Sequence, residues 1–250
     1  MSGSGVVRLR LLNGSNSTIL RISFDGVDGF HQIATDGGFL EAPVPLSFVV
    51  LSPGERAEIL VDFSRAAGAV GLVAQTNGDQ SYRAMEFRPQ TPAGSESGNN
   101  LRTAIPENLV RIDRLSASDA DRTRRFIMDM RMGGRFTING KEMNMNRIDE
   151  RVKLGSTEIW EIQNGGGGMM GGMMNQPHSF HLHDVQFLIL DINGKRPPSN
   201  LGGWKDTVLL WPGDRVRFIT RFNDYTGLYM YHCHLLEHED NGMMGQFLVK

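Results

Sequence analysis

The sequence predicts an all-β protein of two domains, on three observations. Its apolar segments are short and rich in β-branched and aromatic residues, turn signals divide them, and no segment keeps a helical period over many turns. Strands at such spacing favour sandwiches or barrels. VVRLRLL (6–12) alternates charged and apolar residues and stops at the turn signal NG. LSFVVL (46–51) and AEILVDF (57–63) flank PGE, a proline-glycine turn. FTING (136–140), EIWEIQ (158–163), VQFLILDI (185–192), TVLLW (207–211) and VRFITRF (216–222) continue the series, with NGK and PGD between them. The least strand-like stretch begins PQTPAGSESGNN and runs into SASDADRTRR, so residues 90–125 are expected to connect β-domains at 6–89 and 126–250. MSGSG (1–5) reads as an initiator Met with a small flexible leader.

The two domains look like copies. PGERAEILVDF (53–63) matches PGDRVRFITRF (212–222), FHQI (30–33) matches FHLH (180–183), and the LLNG ending at Gly14 matches the IQNG ending at Gly165. The order is the same and the offsets are 159, 150 and 151. This alignment sets His31 opposite His181 and makes it a structural relic.

At 250 residues and 40% hydrophobic, the chain can bury a substantial core. A net charge of −2 from 26 basic and 28 acidic residues leaves no basic stripe for nucleic acid or an anionic membrane. No apolar run reaches the roughly 20 residues that span a bilayer, and no signal-peptide core is present. One cysteine excludes an internal disulfide.

Six of the seven histidines fall in two clusters, PHSFHLHD with His178, His181 and His183, and HCHLLEHEDNGMM with His232, His234 and His238 beside Cys233 and Met243. Successive strand residues point to opposite faces, so His232 and His234 share one face and Cys233 takes the other. The same parity pairs His181 with His183 and frees His178. Face and loop reach then give two sets. His178, Cys233, His238 and Met243 have the ligand types of a blue-copper centre, two imidazoles and a thiolate with a weak axial thioether. His181, His183, His232 and His234 form an all-imidazole set. Zinc is the competing metal for Cys and His, although it does not explain the Met. Met169, Met170, Met173 and Met174 precede His178 in a glycine-rich loop, and thioethers select Cu(I). Met128, Met130 and Met132 alternate, as core-facing residues of a strand do.

HCHLLEHED-x-GMM, PHSFHLHD and GWKDTV (202–208, as GGWKDTV) resemble the last cupredoxin domain of multicopper oxidases, the laccase and cuprous-oxidase family, and RLRLLNGSN and TDGG-x-L-EAPV resemble the start of its second domain. The resemblance implies two cupredoxin-like Greek-key β-sandwiches and copper as cofactor. By position it implies type 1 copper at His178, Cys233, His238 and Met243, type 2 at His181, and the type 3 pair at His183, His232 and His234. It implies a periplasmic or secreted parent, and small reductants or Cu(I) as partners. Glu237 resembles the family carboxylate that supplies protons to oxygen, a role needing a complete cluster. Asp206 of WKDTV is expected to orient a ligating imidazole.

The family's trinuclear cluster takes eight histidines, half of them from a first domain. Outside its two clusters this chain has only His31. The expectation is therefore a shortened oxidase, keeping the type 1 site and half of the cluster, with little oxygen reduction on its own. An oxidase completed by a separate first-domain chain, and a copper-storage module, are the alternatives.

Overall fold

The structure is a computed structural model, and it describes residues 5–64, 66–89, 105–131, 134–165 and 176–250. Strands dominate, and the first half holds β1 (Val6–Leu12), β2 (Leu20–Phe24), β3 (Phe30–Thr35), β4 (Gly38–Leu46), β5 (Phe48–Leu51), β6 (Arg56–Asp62), β7 (Val70–Thr76) and β8 (Ser81–Phe87). The second half holds β9 (Arg122–Arg131), β10 (Arg135–Ile138), β11 (Glu150–Val152), β12 (Thr157–Asn164), β13 (His178–Leu182), β14 (Phe187–Ile192), β15 (Thr207–Leu210), β16 (Arg215–Arg221), β17 (Gly227–Cys233), the short helix α1 (Leu236–Asp240) and β18 (Met244–Val249). Four sheets result, in the orders β1-β6-β3-β4, β5-β2-β7-β8, β10-β9-β12-β16-β14 and β11-β18-β17-β13-β15. Spatial neighbours are mostly not sequence neighbours, the crossing pattern of Greek keys.

Each half closes around its own core because alternate residues of both its sheets turn inward. Ile22, Phe30, Val49, Ile59, Val61 and Val70 form the first core. The second is aromatic, built on Phe126, Trp160, Phe180, Phe218, Tyr231 and Phe247. Trp160 is fully buried, edge-on to Tyr231 and Phe247, and its indole N–H donates to Glu158 Oε2 at 3.0 Å. Met128 is fully buried in that core, Met130 is half-buried, and Met132 lies outside the described residues.

Within the expected connection, Leu109 N–H donates to the Glu41 carbonyl of β4 at 2.9 Å, and residues 112–121 run along the second sandwich. Ile112, Leu115 and Ala120 pack with Ile159, Leu188, Ile219 and Trp204, and Arg122–Arg125 already open strand β9, which pairs in parallel with β12. Between the sandwiches Lys205, 2% exposed, meets Asp36 Oδ2 at 2.9 Å and Glu55 Oε1 at 3.2 Å. Burial alone would lower the Lys205 pKa, but the two carboxylates raise it. Removing one member of such a buried set costs about 3–5 kcal/mol, since it strands the others' charge.

Topology supports two of the three repeat matches and corrects the third. PGER leads into β6 and PGDR into β16; β1 pairs with β6 as β12 pairs with β16. On the other side of β6 lies β3, and on the other side of β16 lies β14, each pairing broken by a bulge at the same place, Gln32/Ala34 and Ile189/Asp191. FHQI therefore corresponds to FLIL of β14. His31 stands opposite Leu188, not opposite His181, because sheet partners and not a four-residue likeness fix the equivalence.

Candidate metal centre

β13 and β17 are antiparallel neighbours, with Phe180 opposite Cys233 and His181 opposite His232. The pleat does the rest. Phe180 and Leu182 enter the core, so His178 and Cys233 lie on that inner face, while His181 and His232 take the outer one. After Cys233 the chain turns into α1, which returns His238 to the same interior, and Met243 follows just beyond it.

His178, Cys233 and His238 converge. The two Nδ1 atoms are 3.1 Å apart, and Cys233 Sγ is 3.8 Å from that of His178 and 3.6 Å from that of His238. A point equidistant from the three lies about 2 Å from each, the length of a metal–imidazole bond. Met243 is fully buried in the same cluster; its carbonyl accepts from Cys233 N–H at 3.0 Å and its N–H donates to the His238 carbonyl at 2.9 Å. Burial holds His178 neutral down to about 3 and His238 down to about 4, so both keep a lone pair for a metal. It also pushes the Cys233 thiol up to about 12, so a thiolate here needs a cation beside it.

Two neighbours of His238 carry no signature in the sequence. Phe136 stacks on its ring at 4.3 Å, and Gln176 Oε1 lies 3.2 Å from its Nε2. The amide oxygen accepts, so the proton sits on Nε2 and Nδ1 is left to face Cys233. Met169, Met170, Met173 and Met174 lie outside the described residues.

On the outer face His181, His183 and His232 bring ring nitrogens within 4.8 Å of one another. His183 Nε2 and His232 Nε2 are 3.1 Å apart, and the His234 ring lies 5.4 Å from that of His181 and 5.5 Å from that of His232. His181 Nδ1 has Asp206 O and Thr207 Oγ1 each at 3.0 Å, with the Asp206 carboxylate at 3.6 Å, so it donates there and turns Nε2 outward. Asp206 is thus in contact with a candidate imidazole. Burial works to raise its pKa, and hydrogen bonds from His181, Arg56 and Thr207 outweigh it and keep the carboxylate ionised.

The acid beside the imidazole set is not the expected one. Glu237 is exposed on α1, whereas Glu239 Oε2 lies 3.2 Å from His232 Nδ1. Consecutive helical residues point about 100° apart, so the acid after His238 faces the histidines and the one before it faces solvent.

Comparison with known proteins identifies the family. Residues 110–250 match the family described as multicopper oxidase. The chain is 37% identical over 243 residues to the multicopper oxidase of Staphylococcus haemolyticus, covering 97% of this chain and 48% of that protein. A laccase of Haloferax volcanii is 36% identical over 265 residues, covering 97% of this chain and 44% of the laccase. A solved laccase-like multi-copper oxidase from an Ochrobactrum species superposes with a TM-score of 0.84 at 33% identity, over 99% of this chain and 56% of that one. The chain spans about half the length of the curated relatives it matches. No helix among the described residues is long and apolar enough to cross a membrane. With its two β-sandwiches, its Cys-His and all-His clusters and this similarity, the chain belongs to the multicopper oxidase family.

Proposed function

We propose that this chain is a copper redox protein that keeps the family's type 1 electron-transfer site at His178, Cys233 and His238, with Met243 as the axial ligand. The observation that carries the reading is the triangle of two imidazole nitrogens and one thiol sulfur, sized for a single metal and sealed in the aromatic core. Copper bound there supplies a one-electron acceptor and donor.

The surrounding residues fit that task. Gln176 and Phe136 hold the His238 ring, and the exposed Gln176 puts its outer nitrogen one side chain from solvent, where a small reductant reaches it. Cys233 is bonded through the backbone to His232 and His234, a short covalent path from the buried site to the imidazole face. There His181, His183, His232 and His234 supply four imidazoles, and the Glu239 carboxyl lies next to His232. Burial raises the Glu239 pKa above the ordinary carboxylate value. His31 is the only other histidine of the chain, pairs on β3 with Leu60 of β6 and joins neither histidine cluster, so this chain supplies four of the imidazoles of an eight-histidine cluster.

Oxygen uptake with a phenolic reductant tests the reading. The chain alone, copper-loaded, should be reduced by the phenol yet consume little oxygen, and adding a first domain of the family should restore uptake if the oxidase is completed in that way. Rapid oxygen consumption by the chain alone contradicts the proposal.

A further inference from the structure

We infer that Ser52–Arg56, a turn of the first sandwich with no histidine of its own, is the positioning device for the imidazoles of His181 and His234 in the second. The consequence for metal binding rests on the reading of those two histidines as ligands; the positioning itself does not.

Every residue of the turn touches the second sandwich. Ser52 Oγ lies 2.8 Å from Ser179 Oγ, and the Pro53 carbonyl accepts from Ser179 Oγ at 3.0 Å, on the strand between His178 and His181. Glu55 meets the buried Lys205. Arg56 grips the Asp206 carboxylate with both ends of its fork, at 2.7 and 2.6 Å. The guanidinium is itself fixed, donating to the Gly54 carbonyl at 3.1 Å and the Asp36 carbonyl at 3.0 Å. Thr207 Oγ1 donates to Asp206 at 2.7 Å and accepts from His181 Nδ1, so the chain of bonds runs unbroken from Arg56 to the imidazole. It fixes both the tilt of His181 and the nitrogen that carries its proton.

Gly54 acts on His234 by having no side chain. A Cβ at this position would stand 2.6 Å from Cδ2 of the His234 ring and 2.9 Å from Cγ and Nε2. The ring lies directly against the backbone of the turn, and its plane is set by it. The second sandwich repeats this turn as PGDR with the same backbone, φ +83° at Gly213 against +85° at Gly54, but a Cβ on Gly213 would meet nothing within 4 Å. The repeat thus provides a matched control, equal in backbone strain and different only in what the added carbon strikes.

The experiment compares G54A with G213A in the full chain. In the metal-free proteins, imidazole proton–nitrogen correlation spectra should show His234 displaced by G54A and unmoved by G213A. R56Q should shift His181 toward the other tautomer, and R56K, which keeps the charge without the fork, should recover part of the wild-type signal. Titration with Zn²⁺, followed at the same ring signals, should be weakened about tenfold or more by G54A, with G213A matching wild type. Identical ring spectra for G54A and G213A overturn the positioning role. If wild-type His181 and His234 do not respond to Zn²⁺, the metal reading of that face fails while the metal-free spectra still decide the inference.

Discussion

The two sandwiches share a frame and differ in chemistry. β5-β2-β7-β8 in the first corresponds to β15-β13-β17-β18 in the second. Where β13 carries HSFHL and β17 GLYMYHC, β2 carries LRISF and β7 VGLVAQT. One pairing geometry therefore supports a metal constellation in one copy and plain packing in the other. The scaffold sets which side chains face each other; a handful of positions on two adjacent strands decide what they do. The first copy has kept a contribution through its Ser52–Arg56 turn, which touches the outer imidazole face directly and the buried thiolate site only by way of Ser179. The buried site draws its ligands, Gln176 and Phe136 from the second sandwich alone.

The sharpest way to break this contrast is C233S. It removes the thiolate and should abolish the intense visible band of the copper-loaded protein, while the outer face still binds metal; absorption and metal titration check both. Next in size, W160A should destabilise the second sandwich by about 3–5 kcal/mol in urea unfolding, because the indole is fully buried among aromatic rings. It should carry copper retention down with it, whereas I59A, at a fully buried position of the first core, should cost about 2–5 kcal/mol and leave the band position unchanged. Q176L is smaller. Without an acceptor at His238 Nε2, copper affinity at the thiolate site should fall about tenfold with a measurable shift of potential, and Zn²⁺ binding on the outer face should not change.

A separate handle is the acid sensitivity of the metal-free chain. His178, His232 and His238 are pushed below their ordinary 6.5 to about 3, 3 and 4, first of all by burial. The unfolded chain takes up protons at these positions from pH 6.5 downward and the folded one does not, so the stability they contribute is full above pH 6.5 and is lost as pH falls toward 3. Thermal melts across that window should show a progressive drop, flattened when H178Q and H238Q remove two of the three groups.

Much of this was legible in the sequence because strands have a period of two. Parity alone separates His178 and Cys233 from His181, His183, His232 and His234, and the pleat of β13 and β17 follows it. The strand segments around PGE and PGD were readable for the same reason. Residues that depend on packing were not. Gln176 and Phe136 meet His238 from 62 and 102 positions away in the chain. Glu239 rather than Glu237 faces His232 because the chain enters a helical turn there, where acids two positions apart point to nearly opposite sides. FHQI misled because four shared letters say nothing about which strands flank them, and β3 proved equivalent to β14. Arg56 was visible only as half of a repeat, without the carboxylate its fork grips.

The most direct test of the central claim, that one chain holds a complete thiolate copper site, is the visible spectrum after adding one equivalent of Cu(II) to the metal-free protein. The expected result is an intense band near the red end of the visible range that saturates at one copper per chain and bleaches on reduction by ascorbate. A copper-loaded protein that stays colourless contradicts it.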